Sequence, residues 1–135
     1  MRQLAIFGCL PTMLALGACS SAVAVPVGGA CSSHDVCLTG FCIPDTDASG
    51  KPTQWAGGYC SGNCASQSCP EGSSCLALGD NNRYCVAACA ADSDCRPDYV
   101  CAKAVAACLP DCRNGWSCGS TLTCNQTNGN CEIAP

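Results

Sequence analysis

The chain has 135 residues, eighteen of them cysteine, a net charge of −4 and only 12% charged residues. That cysteine load marks a disulfide scaffold rather than an ordinary packed domain. No basic cluster occurs anywhere in the chain, so the electrostatic footprint of nucleic-acid binding is missing and no nucleic-acid partner is expected.

Residues 1–18 read as a signal peptide of the lipoprotein type. Met1-Arg2-Gln3 supplies a short positive start, and the apolar run from Leu4 to Leu16, broken by Pro11, is too short to span a bilayer. Leu16-Gly17-Ala18-Cys19 resembles a bacterial lipobox. The resemblance implies cleavage before Cys19, lipidation of that cysteine and membrane attachment through an N-terminal lipid anchor. Ser20, rather than Asp, follows the cysteine, which in the lipoprotein family resembles outer-membrane sorting. The rival is ordinary secretion, with Ala22-Val23-Ala24 as a small-x-small cleavage site and Val25 as the mature start. Residues 19–30 read as the lipidated cysteine and a flexible tether containing Pro26, Gly28 and Gly29.

Residues 31–135 form one disulfide-rich domain of four repeats, 31–60, 64–85, 89–108 and 112–131. Setting Cys9 and Cys19 aside from the eighteen leaves sixteen cysteines, an even number that in an exported chain argues for disulfides. They are Cys31, Cys37, Cys42 and Cys60; Cys64, Cys69, Cys75 and Cys85; Cys89, Cys95, Cys101 and Cys108; Cys112, Cys118, Cys124 and Cys131. The last two quartets share gaps of five, five and six residues, and three residues join each repeat to the next. A spacing that repeats while the intervening residues change is a covalent ruler. If each unit is self-contained it has three possible pairings. First-to-third with second-to-fourth is favoured, as in Cys89–Cys101 and Cys95–Cys108, because interleaved bridges pin a unit against rotation better than nested ones.

Large aliphatic residues are few beyond the leader, and the aromatic residues there are Phe41, Trp55, Tyr59, Tyr84, Tyr99 and Trp116. Such a chain buries too little surface to offset its ordering entropy. Cross-links must compensate, each worth about 2–4 kcal/mol for a loop of roughly a dozen residues. The expected fold class is therefore small and disulfide-rich, with little regular secondary structure: turns and short two-stranded pairings in a tandem array of four-cysteine repeats. Asp35, Asp92 and Asp94, between the first two cysteines of their repeats, are expected to close Asx-turns. Phe41, Tyr59, Tyr84 and Tyr99, at or near a cysteine, are expected to pack over disulfides in place of a core. An exposed aromatic binding row is the alternative. Ala102–Ala107 is expected to form one helical turn or two.

The pattern Cys-x5-Cys-x5-Cys-x6-Cys, with Asp before the second cysteine in Cys89-Ala-Ala-Asp-Ser-Asp-Cys95, resembles cysteine-rich repeats of surface and secreted proteins from myxobacteria and their relatives. It is more loosely similar to EB modules and the N-terminal cysteine-rich region of the Dickkopf family. Repeats two and four lack that Asp. The resemblance implies an extracellular interaction module without a defined ligand.

Chemistry-bearing candidates are sparse. The segment from Ile43 to Tyr59 is the longest loop between cysteines, and long loops on rigid scaffolds commonly carry binding function. Its Trp55 and Tyr59 are the candidate contacts for an unknown protein or glycan partner. Asp45-Thr46-Asp47-Ala48-Ser49-Gly50 matches the opening of an EF-hand loop. Position twelve, however, is Ala56 rather than a bidentate Glu, and Pro52 interrupts the loop, so a polar turn is expected. His34, the sole histidine, lies between Cys31 and Cys37 but reads as a surface residue. Knuckle-like gaps at Cys60/Cys64, Cys85/Cys89 and Cys108/Cys112 coincide with repeat joints, so no metal site is expected. No Gly-x-Ser-x-Gly, His-Glu-x-x-His, phosphate loop or Cys-x-x-Cys occurs, so no catalytic residue is nominated and no cofactor is expected. Asn125-Gln126-Thr127 has the form of a glycosylation sequon. The functional expectation is an extracytoplasmic, disulfide-stapled surface lipoprotein, a non-catalytic binding or structural module. The alternative is a secreted inhibitor of a protease or other enzyme, with Gly50-Lys51-Pro52 as a presenting loop.

Overall fold

The computed structural model describes residues 23–78, 82–118 and 120–133; the expected signal peptide and Cys19 lie outside them. Eight short strands, β1 (Phe41–Ile43), β2 (Tyr59–Ser61), β3 (Ser73–Ala77), β4 (Arg83–Ala87), β5 (Tyr99–Ala102), β6 (Ala107–Pro110), β7 (Thr123–Cys124) and β8 (Cys131–Glu132), are joined by turns and three single-turn 3-10 helices. They pair antiparallel in sequence order as four separate hairpins, one per repeat. The expected fold class is the one observed.

The hairpins show how cysteine spacing becomes structure. In each, the third and fourth cysteines stand directly opposite one another: Cys42 and Cys60, Cys75 and Cys85, Cys101 and Cys108, Cys124 and Cys131. Opposed residues of an antiparallel pair project to the same face. The loop that precedes the hairpin folds across this face and delivers the first two cysteines to it. The bridges are Cys31–Cys42 and Cys37–Cys60, Cys64–Cys75 and Cys69–Cys85, Cys89–Cys101 and Cys95–Cys108, and Cys112–Cys124 and Cys118–Cys131, with Cα separations of 5.4–6.0 Å. All four repeats thus carry the interleaved pairing.

One backbone bond recurs with the bridges. The amide of the first cysteine donates to a carbonyl two residues before the fourth: Cys64 to Arg83, Cys89 to Ala106 and Cys112 to Gly129, each at 3.0 Å. Repeat one makes the equivalent bond one residue earlier, from Cys31 to Gly57 at 3.1 Å. The chain entering a repeat therefore lies along that repeat's last strand. In repeat one the entering chain is the part of the expected tether from residue 23 to 30, residues 19–22 lying outside the described residues, and for this part the reading is corrected. Val25 donates to Val36 and accepts from Leu38, Gly28 donates to Cys60, and Cys60 donates to Gly29, at 2.8–2.9 Å. The small residues that suggested a free linker are those that let the backbone lie flat against a strand.

The Ala102–Ala107 expectation is also corrected. Cys101 opposite Cys108 and Ala102 opposite Ala107 force these residues into a hairpin turn, with Ala106 at a positive φ of 49°. A helix of this length is marginal in isolation, and the register of the bridged strands overrides alanine's preference. At Asp92 and Asp94 the expected Asx-turns are replaced by longer reaches. The Asp92 carboxylate accepts from the amide of Cys101 at 2.8 Å, and that of Asp94 from the amides of Ala90 and Ala91 at 2.8 and 2.9 Å.

The apolar core lies where the first three repeats meet. Trp55, Tyr59, Val86, Tyr99 and Ala107 are buried together, with Ile43, Leu76 and Leu109 packed around them. Of the four rings expected to stand in for a core, Tyr59 and Tyr99 do so, joined by Trp55, whereas Phe41 and Tyr84 lie outside it. Trp55, Tyr59 and Tyr99 lie 5.0–6.5 Å apart between centroids. Gly58, at φ +66°, makes this approach possible, since a Cβ there would fall 2.0 Å from the carbonyl oxygen of Cys31.

Candidate functional site

Strand alternation decides what the hairpins present on their second face. Because each cysteine side chain is committed to the bridged face, its neighbours in sequence point the other way. Among those neighbours, Phe41 and Ile43 beside Cys42, Tyr84 beside Cys85, Ala102 beside Cys101, Leu109 beside Cys108 and Asn130 beside Cys131 line one concave groove of about 740 Å³, while Tyr59, Val86 and Ala107 turn into the core. Pro44, Gln54 and Trp55 from the long loop, Leu78 and Asn82 from the second hairpin, Val105 from the third, and Trp116 and Leu122 from repeat four complete its walls. The volume lies within the range of small-ligand sites, which are likewise mostly apolar with a few placed polar groups.

No lysine, arginine, aspartate, glutamate or histidine is among the described residues that line the groove. Its polar side-chain groups are the carboxamides of Gln54, Asn82 and Asn130, the hydroxyl of Tyr84 and the indole N–H of Trp116. Val105 and Leu122, at 42% and 38% exposure, stand at its rim. Phe41 and Tyr84 stack at 5.7 Å with their planes 13° apart, and His34 stacks on Phe41 at 5.6 Å, so one wall is an aromatic ladder from repeat one into repeat two.

The residues singled out from the sequence fall differently. Tyr59 is fully buried, and its hydroxyl accepts from the amide of Ala87 at 2.9 Å and donates to the carbonyl of Cys108 at 3.4 Å. Burial pushes its phenol above the ordinary range. It ties three repeats together and is sealed from any partner, which corrects its expected role as a contact. Trp55 is 8% exposed and lines the groove with the little surface it keeps. Arg96 locks these rings. Its Nη2 donates to the carbonyls of Ala56 and Gly58 and, at 2.8 Å, to the Tyr99 hydroxyl. The guanidinium sits 4.1 Å from the centroid of the Tyr99 ring.

The EF-hand-like segment is a closed turn. Asp47 Oδ1 accepts from the amides of Ser49 and Lys51 and from the Ser49 hydroxyl at 2.6–3.0 Å. These bonds, the Ser49 hydroxyl foremost, hold its carboxyl below the usual range. His34 Nδ1 accepts from the amide of Cys42 at 3.0 Å. This is the bond Asp92 makes to Cys101, and both residues sit three places after the first cysteine of their repeat. The sole histidine is thus a structural acceptor. In each repeat three sulfurs lie within 4.8 Å of one another, which reflects two adjacent bridges, and a sulfur held in a disulfide offers no thiolate to a metal.

Sequence reasoning missed the groove because its lining comes from four repeats, with no local spacing to reveal it. The available signal was the apolar character of residues flanking the cysteines in repeats one to three. No protein-family model, no curated protein and no solved structure matches this chain.

Proposed function

We propose that this protein is an exported, lipid-anchored surface module of a bacterial cell envelope, held through Cys19, and that it works by binding rather than catalysis. The groove is its binding site. Eight disulfides fit an oxidising, extracytoplasmic compartment, and among the described residues no helix is long and apolar enough to cross a membrane. The observation that carries the reading is the groove itself: an uncharged, largely apolar concavity of about 740 Å³ whose walls are fixed by the bridges of all four repeats. Patches of this kind on a small chain mark interaction sites. The test uses Nile red, a neutral apolar fluorophore. Saturable one-site binding that is lost in Val105→Glu, a rim substitution that leaves the core untouched, supports the reading. Equal emission from both proteins counts against it. Mass spectrometry of the mature N-terminal peptide tests the anchor, and an unmodified Val25 start would remove it.

The inhibitor reading keeps one supporting observation. The loop around Lys51 is exposed, and it is held by the Asp47 turn and by the bridge between Thr46 and Pro52, so it is a closed, presented loop of the kind inhibitors use. A protease panel, with Lys51→Ala as comparator, tests it. Inhibition at sub-micromolar concentration that is lost on substitution would favour it.

A further inference from the structure

The chain that enters repeat one is built into it. Val25 donates to the Val36 carbonyl and accepts from the Leu38 amide, both at 2.8 Å, while Gly28 donates to Cys60 and Gly29 accepts from it at 2.8 and 2.9 Å. Its side chains are committed as well. Val25 packs on the bridged cysteines of repeat one, and Val27 on the ring cluster. A Cβ at Gly28 would fall 2.6 Å from that of Ala87, so the segment lies against repeat two at this point. Docking uses up the spacer between the anchor and the first repeat. From Cys19 to Cys31 an extended chain would reach about 40 Å, but from Cys19 to the bound Val25 it reaches at most about 20 Å. The edge of repeat one that carries Val25 is therefore where the anchor holds the molecule.

That edge keeps large apolar side chains in solvent. Val23, two residues before Val25, is 90% exposed, and Leu38, whose amide bonds to Val25, is 61% exposed. Val105 and Leu122, which are also exposed, belong to the rim of the groove. Residues 20–50 hold no lysine or arginine, and Asp35, Asp45 and Asp47 are acidic. This edge thus offers a membrane aliphatic contact and no cation for lipid phosphate. Resting on the reading of Cys19 as the lipid anchor, we infer that this edge of repeat one is a membrane-contact surface. Val23 and Leu38 are seated in the interfacial layer of the bilayer, and the contact is indifferent to lipid headgroup charge. The acyl chains supply the affinity, and the two side chains supply the orientation.

The experiment uses the full chain, oxidised and acylated by a bacterial host, in phosphatidylcholine vesicles brominated near the headgroup, where bromine quenches tryptophan on contact. Leu38→Trp reports on the edge of repeat one. Gln126→Trp, in the exposed polar turn between β7 and β8, reports on repeat four. Each is read as the difference from the parent chain, which carries Trp55 and Trp116. The inference expects about a twofold loss of Leu38→Trp emission relative to unbrominated vesicles, little change at Gln126→Trp, and the same result when phosphatidylglycerol is mixed in. Unquenched Leu38→Trp in a chain that sediments with the vesicles, or equal quenching of the two reporters, overturns the contact surface and leaves the anchor standing. Quenching that appears only with the anionic lipid overturns the apolar nature of the contact. A chain that does not sediment with the vesicles at all overturns the anchor reading itself.

Discussion

Repeats three and four have identical cysteine spacing, identical bridge connectivity and the same hairpin register, yet they sit in the molecule differently. Around its cysteines repeat three carries Val100, Ala102, Ala107 and Leu109, and Tyr99, Val100 and Ala107 are buried. Repeat four carries Thr123, Asn125, Asn130 and Glu132 in the matching places. Its hairpin is closed by side-chain hydrogen bonds, from Asn125 Nδ2 and Asn128 Nδ2 to the Glu132 carboxylate at 2.9 and 2.7 Å. The cysteines set the local fold in both. The residues beside the cysteines decide whether that fold joins a shared core or stands as one wall of a groove.

The largest expected effect is at the junction of the first three repeats. Tyr59→Ala removes a fully buried ring and should cost about 3–5 kcal/mol, measured by denaturant unfolding with the disulfides intact. Leu122→Ala, in repeat four, should change stability by no more than about 0.5 kcal/mol. Equal effects would dissolve the contrast between core repeats and wall repeat.

Bridge removal sharpens it next. Cys95–Cys108 and Cys118–Cys131 each span a sequence separation of 13, so restriction of the unfolded chain is worth the same for both, about 3 kcal/mol. What differs is where the loss is felt. Replacing Cys118 and Cys131 with alanine should open only residues 112–131, seen as lost amide-exchange protection there with 31–110 unchanged. Replacing Cys95 and Cys108 should reduce protection as far as Tyr59 and Val86. Local loss in both cases would mean that the repeats are stapled independently. Arg96→Met follows, at about 2 kcal/mol, because it leaves the carbonyls of Ala56 and Gly58 without their charged donor. Arg113→Met, which removes an exposed pair with Asp111 at 2.6 Å and a long bond to the Thr127 carbonyl at 3.4 Å, should be felt less.

The two halves of the architecture were unequally legible. The repeat frame follows from spacing, but spacing leaves three pairings in each unit; the interleaved one is favoured because it pins a unit against rotation, and it is the one all eight bridges show. The ring cluster was visible in kind, through Tyr59 and Tyr99 just before cysteines, but not in place, since nothing local says that Tyr59 meets Tyr99 across 40 residues of sequence. Trp55 looked like an exposed contact because it lies in the longest loop. In fact Gly57 and Gly58 turn that loop inward. The tether was misread for the opposite reason: its role is carried by backbone hydrogen bonds, which leave no side-chain signature. The groove needed both pieces at once, the alternation beside each cysteine and the arrangement of four hairpins, and only the first is written in the sequence.

The smallest expected effect is one of pH, and it tests repeat four alone. Hydrogen bonds from Asn125, then Asn128, hold the Glu132 carboxyl below its usual value. A carboxylate depressed in the folded state contributes stability that is present above its unfolded pKa, about 4.3, and is lost as pH falls through the folded value. Amide protection around β7 and β8 should therefore weaken as pH drops below about 4, and that dependence should vanish in Glu132→Gln, which keeps the shape without the titration. The opposite sign governs the core. Tyr59 and Tyr99, whose phenols are raised by burial, contribute stability that is fully present below about pH 10 and is lost as pH rises beyond it. Tyrosinate absorbance at 295 nm should thus appear together with loss of protection at Val86 and Ala107, while repeat four, which holds no tyrosine, follows only through its attachment at Pro110 and Asp111. If acid opened the core repeats first, or alkali opened repeat four first, the division between a ring-packed body and a hydrogen-bonded wall would have to be redrawn.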